Sequence, residues 1–106
     1  MNGTLTRHRL GPLAAIPLGE GRVYRVAEHA VVVFRTRSGG IFATQAECPH
    51  RSGPLSDGLL ADDCITCPLH GYSFDLRDGR ARGAECPPLV TYRASVDAIG
   101  ELTVEL

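Results

Sequence analysis

Toward the C-terminus, Val90, Tyr92, Ala94 and Val96 alternate with Thr91, Arg93, Ser95 and Asp97, and Leu102, Val104 and Leu106 alternate with Glu101, Thr103 and Glu105. A period of two is the pattern of strands with one dry and one wet face, and Ile99-Gly100 between them predicts a hairpin. Val31 to Arg37 and Ile41 to Gln45 flank Ser38-Gly39-Gly40, a second hairpin signal. A third turn, Asp78-Gly79, follows the strand-like Tyr72 to Leu76. No window of a dozen residues keeps apolar side chains at helical spacing, so the chain is predicted to be all-β. The longest unbroken apolar stretch, Ala30 to Phe34, is far below the roughly 20 residues that cross a bilayer. Arg7, His8 and Arg9 ahead of Leu10 to Leu18 imitate a short signal peptide, but Gly11, Pro12 and Pro17 interrupt the apolar stretch and no small-residue cleavage pattern follows. That segment is predicted to be a first strand and loop, and the protein soluble and cytoplasmic, without a membrane partner.

Turn formers are unevenly spread. Pro49, Gly53, Pro54, Gly58, Pro68, Gly71, Gly79, Gly83, Pro87 and Pro88 crowd into residues 46–88, while the flanks read as regular strand. The expected organisation is one domain over residues 1–106, a β-scaffold with an inserted subdomain of loops and short strands at about 46–88. Loops on a rigid scaffold are where ligands usually sit. A chain of 106 residues builds one modest core, burying about two-thirds of its unfolded surface, with little room for a substrate pocket. Demanding chemistry must therefore come from a bound cofactor. The 12 acidic and 11 basic residues leave a net charge of -1, and the basic residues, all Arg, are scattered, which excludes the clustered basic surplus of a nucleic-acid partner.

The four cysteines allow two disulfides in three pairings, or a metal site. Spacing favours metal. Cys48-Pro49-His50 and Cys67-Pro68-Leu69-His70, with sixteen residues between His50 and Cys67, each set a thiolate beside an imidazole, for which a disulfide framework has no use. A structural zinc site could use the same four residues, although zinc motifs usually keep two or more residues between paired ligands. Cys64-Ile65-Thr66-Cys67 has the spacing of a redox dithiol, but such a pair opens a helix and this one is expected within a strand. His8 and His29 lack ligand neighbours and read as surface residues.

Cys-x-His followed by Cys-x-x-His, with Pro after each Cys and Gly71 after the last His, resembles the ligand signature of Rieske [2Fe-2S] proteins. The similarity runs through the segments Cys48 to Gly58 and Cys67 to Leu76, and with the flanking strands covers about residues 5 to 106. The resemblance implies a Rieske-type antiparallel β-sandwich with an inserted cluster-binding subdomain. It implies one [2Fe-2S] cluster, with Cys48 and Cys67 on one iron and His50 and His70 on the other. Thiolates stabilise ferric iron more than neutral imidazoles do, so the histidine-bound iron would take the electron. Cys86, ahead of Pro87-Pro88, falls in a stretch similar to the proline loop covering the family's cluster, and reads as a packing residue.

Where high-potential relatives carry an extra disulfide, this chain has Gly53 and Leu69; where they place Ser and Tyr hydroxyls near the cluster, it has Tyr72 and Phe74. Fewer donors to the sulfurs imply a potential low in the Rieske range. The implied role is an electron carrier from an NAD(P)H-dependent flavin reductase to a terminal oxygenase, with the small subunit of an NADH-dependent nitrite reductase as the alternative. No stand-alone catalytic site is expected. Pro49, Arg51, Pro54, Leu69 and Pro87-Pro88 are the candidate docking surface for the protein redox partners.

Overall fold

The computed structural model describes residues 6–49, 53–68, 71–83 and 86–106. Strand β1 (Arg7–Pro12) and a 3-10 turn (Leu13–Ala15) lead into the meander β2 (Glu20–Val26), β3 (His29–Arg35) and β4 (Ile41–Gln45). A second 3-10 turn (Leu55–Asp57) precedes four short strands, β5 (Leu59–Leu60), β6 (Cys64–Thr66), β7 (Ser73–Asp75) and β8 (Ala81–Arg82). The chain then returns through β9 (Thr91–Val96) and β10 (Glu101–Glu105). Six strands form one sheet in the order β1-β10-β9-β4-β3-β2, and β5 to β8 form a second in sequence order, with every pairing antiparallel. No helix among the described residues is long and apolar enough to cross a membrane.

Strand β3 explains how the layers stack. Its run Val31-Val32-Val33-Phe34 is buried on both faces, as a short continuous apolar run predicts for a central strand. Val31 and Val33 join Ile16, Val26, Ala43, Leu102 and Val104 in one core. Because β10 lies three places from β3 in the sheet, that contact requires the large sheet to curl over itself as a sandwich. Val32 and Phe34 point the other way, into a second core shared with Ile65 and Phe74 of the small sheet.

The C-terminal alternation holds where it matters, with Leu102 and Val104 fully buried. Val90, expected on the dry face, is instead 52% exposed: it precedes β9, where its backbone exchanges hydrogen bonds with the backbone and side chain of Gln45. Strand β3 stops at Arg35 rather than Arg37 because Thr36 closes the turn. Its N–H donates to Gly40 O and its hydroxyl accepts from Gly40 N at 2.8 Å. Strand β7 is likewise shorter than the expected Tyr72 to Leu76, and His8 is half-buried in β1 rather than a plain surface residue. Strand β2 escapes the pattern analysis altogether, since half-exposed side chains on both faces leave no apolar alternation.

The β2–β3 turn places two non-glycine residues at positive φ, Ala27 at 51° and Glu28 at 100°, in a two-residue loop closed by the Val26–His29 pair. Left-handed backbone costs an L-residue roughly 1–2 kcal/mol, and two-residue hairpin loops of this kind favour Asn-Gly. The double substitution Ala27→Asn/Glu28→Gly is expected to raise stability by about 1 kcal/mol in urea unfolding; an unchanged or lower midpoint would contradict the turn geometry.

Candidate metal centre

Strand β4 runs directly into the first candidate loop. Leu55 N–H donates to Ala46 O at 3.0 Å, Glu47 and Pro54 form an isolated bridge, and Cys48 N–H donates to Gly53 O at 2.8 Å. The second loop tips the β6–β7 hairpin: Thr66 pairs with Ser73, their hydroxyls 2.9 Å apart, and Cys67 N–H donates to Tyr72 O at 2.7 Å. Each cysteine thus closes a hairpin tip by donating to the carbonyl five residues ahead. In the second tip Gly71 takes φ +71°, and its N–H donates to Cys67 O at 3.2 Å. The sequence puts His50 inside the first tip and His70 inside the second. His50, Arg51, Leu69 and His70 lie outside the described residues.

Cys48 and Cys67 are each 2% exposed and belong to the same core, packed with Val32, Phe34, Leu55, Ile65, Phe74, Leu76 and Leu89. Neither forms a disulfide. A buried thiolate costs several kcal/mol, of order 2–7 even for neutral polar groups, unless something compensates its charge, and a cationic metal does so. Soft thiolates brought into one apolar core by two hairpins therefore suit an iron–sulfur group. Cys64 and Cys67 sit in different surroundings: Ile65 and Cys67 are buried in the core, while Cys64 is half-exposed on β6 beside Asp75. Cys86 is half-buried against the same core. Phe74 is fully buried there and carries no hydroxyl; Tyr72 packs at its margin.

Two clamps that composition and motif reading missed hold this arrangement. Gln45 Oε1 accepts from Val90 N–H at 2.8 Å while its Nε2 donates to Glu47 O at 2.7 Å. One side chain so ties the end of the 86–90 strap to the residue before Cys48. Gly79, at φ +82°, donates to Asp75 O and accepts from Leu89 N–H at 2.8 Å. A Cβ at Gly79 would run into the Leu89 carbonyl.

On the outer side of the small sheet, Asp75 receives Arg77 Nη2 at 2.9 Å and Arg82 Nη2 at 3.0 Å, with Asp63 within 3.8 Å of Arg77. Hydrogen bonds from the side chain and then the backbone of Arg77, with a further one from Arg82, hold the Asp75 carboxyl far below the ordinary range. The two guanidinium groups are raised in turn, chiefly by Asp75.

Residues 7–93 match the model of the Rieske [2Fe-2S] domain. The 3-phenylpropionate/cinnamic acid dioxygenase ferredoxin subunit of Shigella flexneri is 33% identical over 97 residues, 90% of this chain and 89% of its own. Among solved structures, the ferredoxin of carbazole 1,9a-dioxygenase from Nocardioides aromaticivorans IC177 superposes with a TM-score of 0.82 at 29% identity, covering 93% of this chain and 96% of that one. A candidate NADH-dependent nitrite reductase small subunit from Mycobacterium tuberculosis superposes with a TM-score of 0.89 at 19% identity, covering 97% and 96%. At that identity the likeness is one of fold.

Two predictions follow from the clamps and the ion pairs. Gln45→Leu removes both side-chain hydrogen bonds and is expected to cost about 1–2 kcal/mol and to speed metal loss to a chelator. Gln45→Glu keeps the acceptor for Val90 but turns a carboxylate oxygen toward the Glu47 carbonyl, and should not recover that loss. For Asp75 the folded pKa is depressed, so its contribution is present above the unfolded value near 4 and disappears as pH falls through the folded one. Because Arg77 and Arg82 are well exposed, Asp75→Asn should cost only about 1 kcal/mol at pH 7, a difference that urea titrations at pH 2 should find much reduced.

Proposed function

The chain belongs to the Rieske [2Fe-2S] domain family, and on that premise we propose that it takes single electrons from an NAD(P)H-dependent flavin reductase and passes them to a terminal oxygenase. The observation that carries this reading is the pair of matching hairpin tips, each headed by a buried cysteine outside any disulfide. The one-third identity to dioxygenase ferredoxin subunits supports the oxygenase as partner. The nitrite reductase alternative rests on likeness of fold at low identity, and it ranks second for that reason.

In the proposed site, Cys48 and Cys67 hold one iron as thiolates and His50 and His70 hold the other as neutral imidazoles. The cluster supplies a one-electron couple. The chain's own part is to fix the donors and exclude water. Main-chain hydrogen bonds set the spacing of each hairpin tip, and the core around Phe34, Ile65 and Phe74 seals the sulfur side. With no hydroxyl at position 74, the added negative charge of reduction is weakly stabilised, and the midpoint potential is expected low in the Rieske range, near about -150 mV. The proposed docking face comprises the tips themselves and the strap: half-buried Pro49, exposed Pro54, Pro87 and Pro88, and Arg51 and Leu69.

Purified protein should be brown, contain iron and sulfide in equal amounts, and give on reduction the rhombic EPR signal of a mixed Cys/His cluster. Cys48→Ser, Cys67→Ser and His70→Ala should abolish that signal and His50→Cys should abolish or transform it, whereas Cys64→Ser and Cys86→Ser should keep it. Zinc without a chromophore would overturn the assignment. Stopped-flow oxidation of the reduced protein by a terminal oxygenase, against none by a nitrite reductase, separates the two roles.

A further inference from the structure

We propose that β2 is a self-association edge through which two copies of this chain join their six-stranded sheets. The two sheets have four edges, and three are short or broken. Strands β5 and β8 are two residues long, and β1 carries a register shift between Arg9 and Gly11 and ends in Pro12. Such features are how proteins block edge-to-edge pairing. Strand β2 has none of them: seven residues run in unbroken register from Glu20–Arg35 to Val26–His29, without proline or bulge. Its central Val23 is 48% exposed.

The ladder fixes which groups are available. Gln45 N–H donates to Val90 O, so alternate residues of β4 (41, 43, 45) face β9, and the intervening ones face β3. By the same alternation Val31, Val33 and Arg35 of β3 face β2, where they pair with Tyr24, Arg22 and Glu20. The N–H and C=O groups of Gly21, Val23 and Arg25 therefore point outward, and among the described residues no strand lies beyond β2.

A second copy fits this edge in one register with all seven residues overlapped. A two-fold axis at Val23 sets Val23 against its own copy, Gly21 against Arg25, Arg22 against Tyr24 and Glu20 against Val26. The three outward-facing pairs then exchange both their hydrogen bonds. No like charges stand directly opposite each other. Arg25 stands opposite Gly21, over which the Phe34 ring lies, and Arg22, already 5.7 Å from its own Tyr24 ring, gains a second aromatic face. Sliding two residues one way sets Arg22 against Arg22, a like-charge pair that opposes association; sliding the other way leaves Glu20 and Gly21 unpaired. Edge pairing alone buries less than a standard interface, so the dimer is expected to be weak and concentration-dependent.

Sedimentation velocity of the cluster-loaded protein from micromolar to millimolar concentration should show the mean mass rising from monomer toward dimer. Val23→Pro, whose lost N–H points away from β3 and leaves the β2–β3 ladder intact, should stay monomeric with its EPR signal unchanged. Val23→Lys, which sets two cations face to face, should weaken association by more than about tenfold and carries the test if the proline variant fails to fold. Amide exchange should slow with concentration at Gly21, Val23 and Arg25, but not at Arg22 or Tyr24. A wild type that is monomeric throughout, a dimer indifferent to both variants, or protection confined to other strands would each overturn the proposal.

Discussion

The structure hangs on the burial of β3 from both sides. Each of its four core side chains is worth roughly 1.5–3 kcal/mol on removal from water, and they are divided between two cores rather than concentrated in one. Val31 and Val33 hold the sandwich together; Val32 and Phe34 hold the small sheet and its loops to the sandwich. A strand apolar on both faces does not specify its own register, because a one-residue slip exchanges two equally dry faces. Its neighbour does so instead. Gly21 pairs with Phe34, and a Cβ at Gly21 would lie 2.7 Å from the Phe34 ring. Only at a bare position does the ring lie back across β2, so one glycine pins the strand on which both cores depend.

From that strand the site is built outward by main-chain hydrogen bonds. The first cysteine hairpin prolongs β4, which is paired to β3, and the second is the tip of β6–β7 in the other sheet. The common core beneath them brings Cys48 and Cys67 together. The base of each tip is closed in the same way, cysteine N–H to a carbonyl five residues on, so each cysteine is held by the main chain. The strap is then held to both hairpins, through Gln45 to the first and through Gly79 to the chain following the second.

What could be read in the sequence follows the same division. The cysteine and histidine spacing, the buried run of β3 and the β9–β10 alternation are local patterns, and they identified the family and the class of fold and named the candidate site. Strand β2 was not readable, since an edge strand with Arg22, Val23 and Arg25 all exposed has no dry face to alternate against. Gln45 looked like any polar strand residue, because its two partners lie on segments that only the topology brings near. Asp75 gave no signal for a similar reason: Arg77 is close in sequence, but Arg82 reaches it from the neighbouring strand β8, and Asp63 joins only through the two arginines. Val90 misled because alternation alone does not say where a strand begins.

Rigid closure also bears on how a carrier meets its partners. Residues at the tips and strap include Pro49, Pro54, Pro68, Pro87 and Pro88, of which all but Pro49 are exposed. Proline offers no N–H, so this surface presents few backbone donors whose burial would demand a matching acceptor. Its fixed φ also means that little chain freedom remains to be lost when a partner docks. Low ordering cost with few polar obligations would let the proposed docking face be covered and uncovered quickly by its redox partners. Backbone closure at Cys48 and Cys67 serves the same end, because the side chains of the proposed face are not needed to hold the cysteines in place.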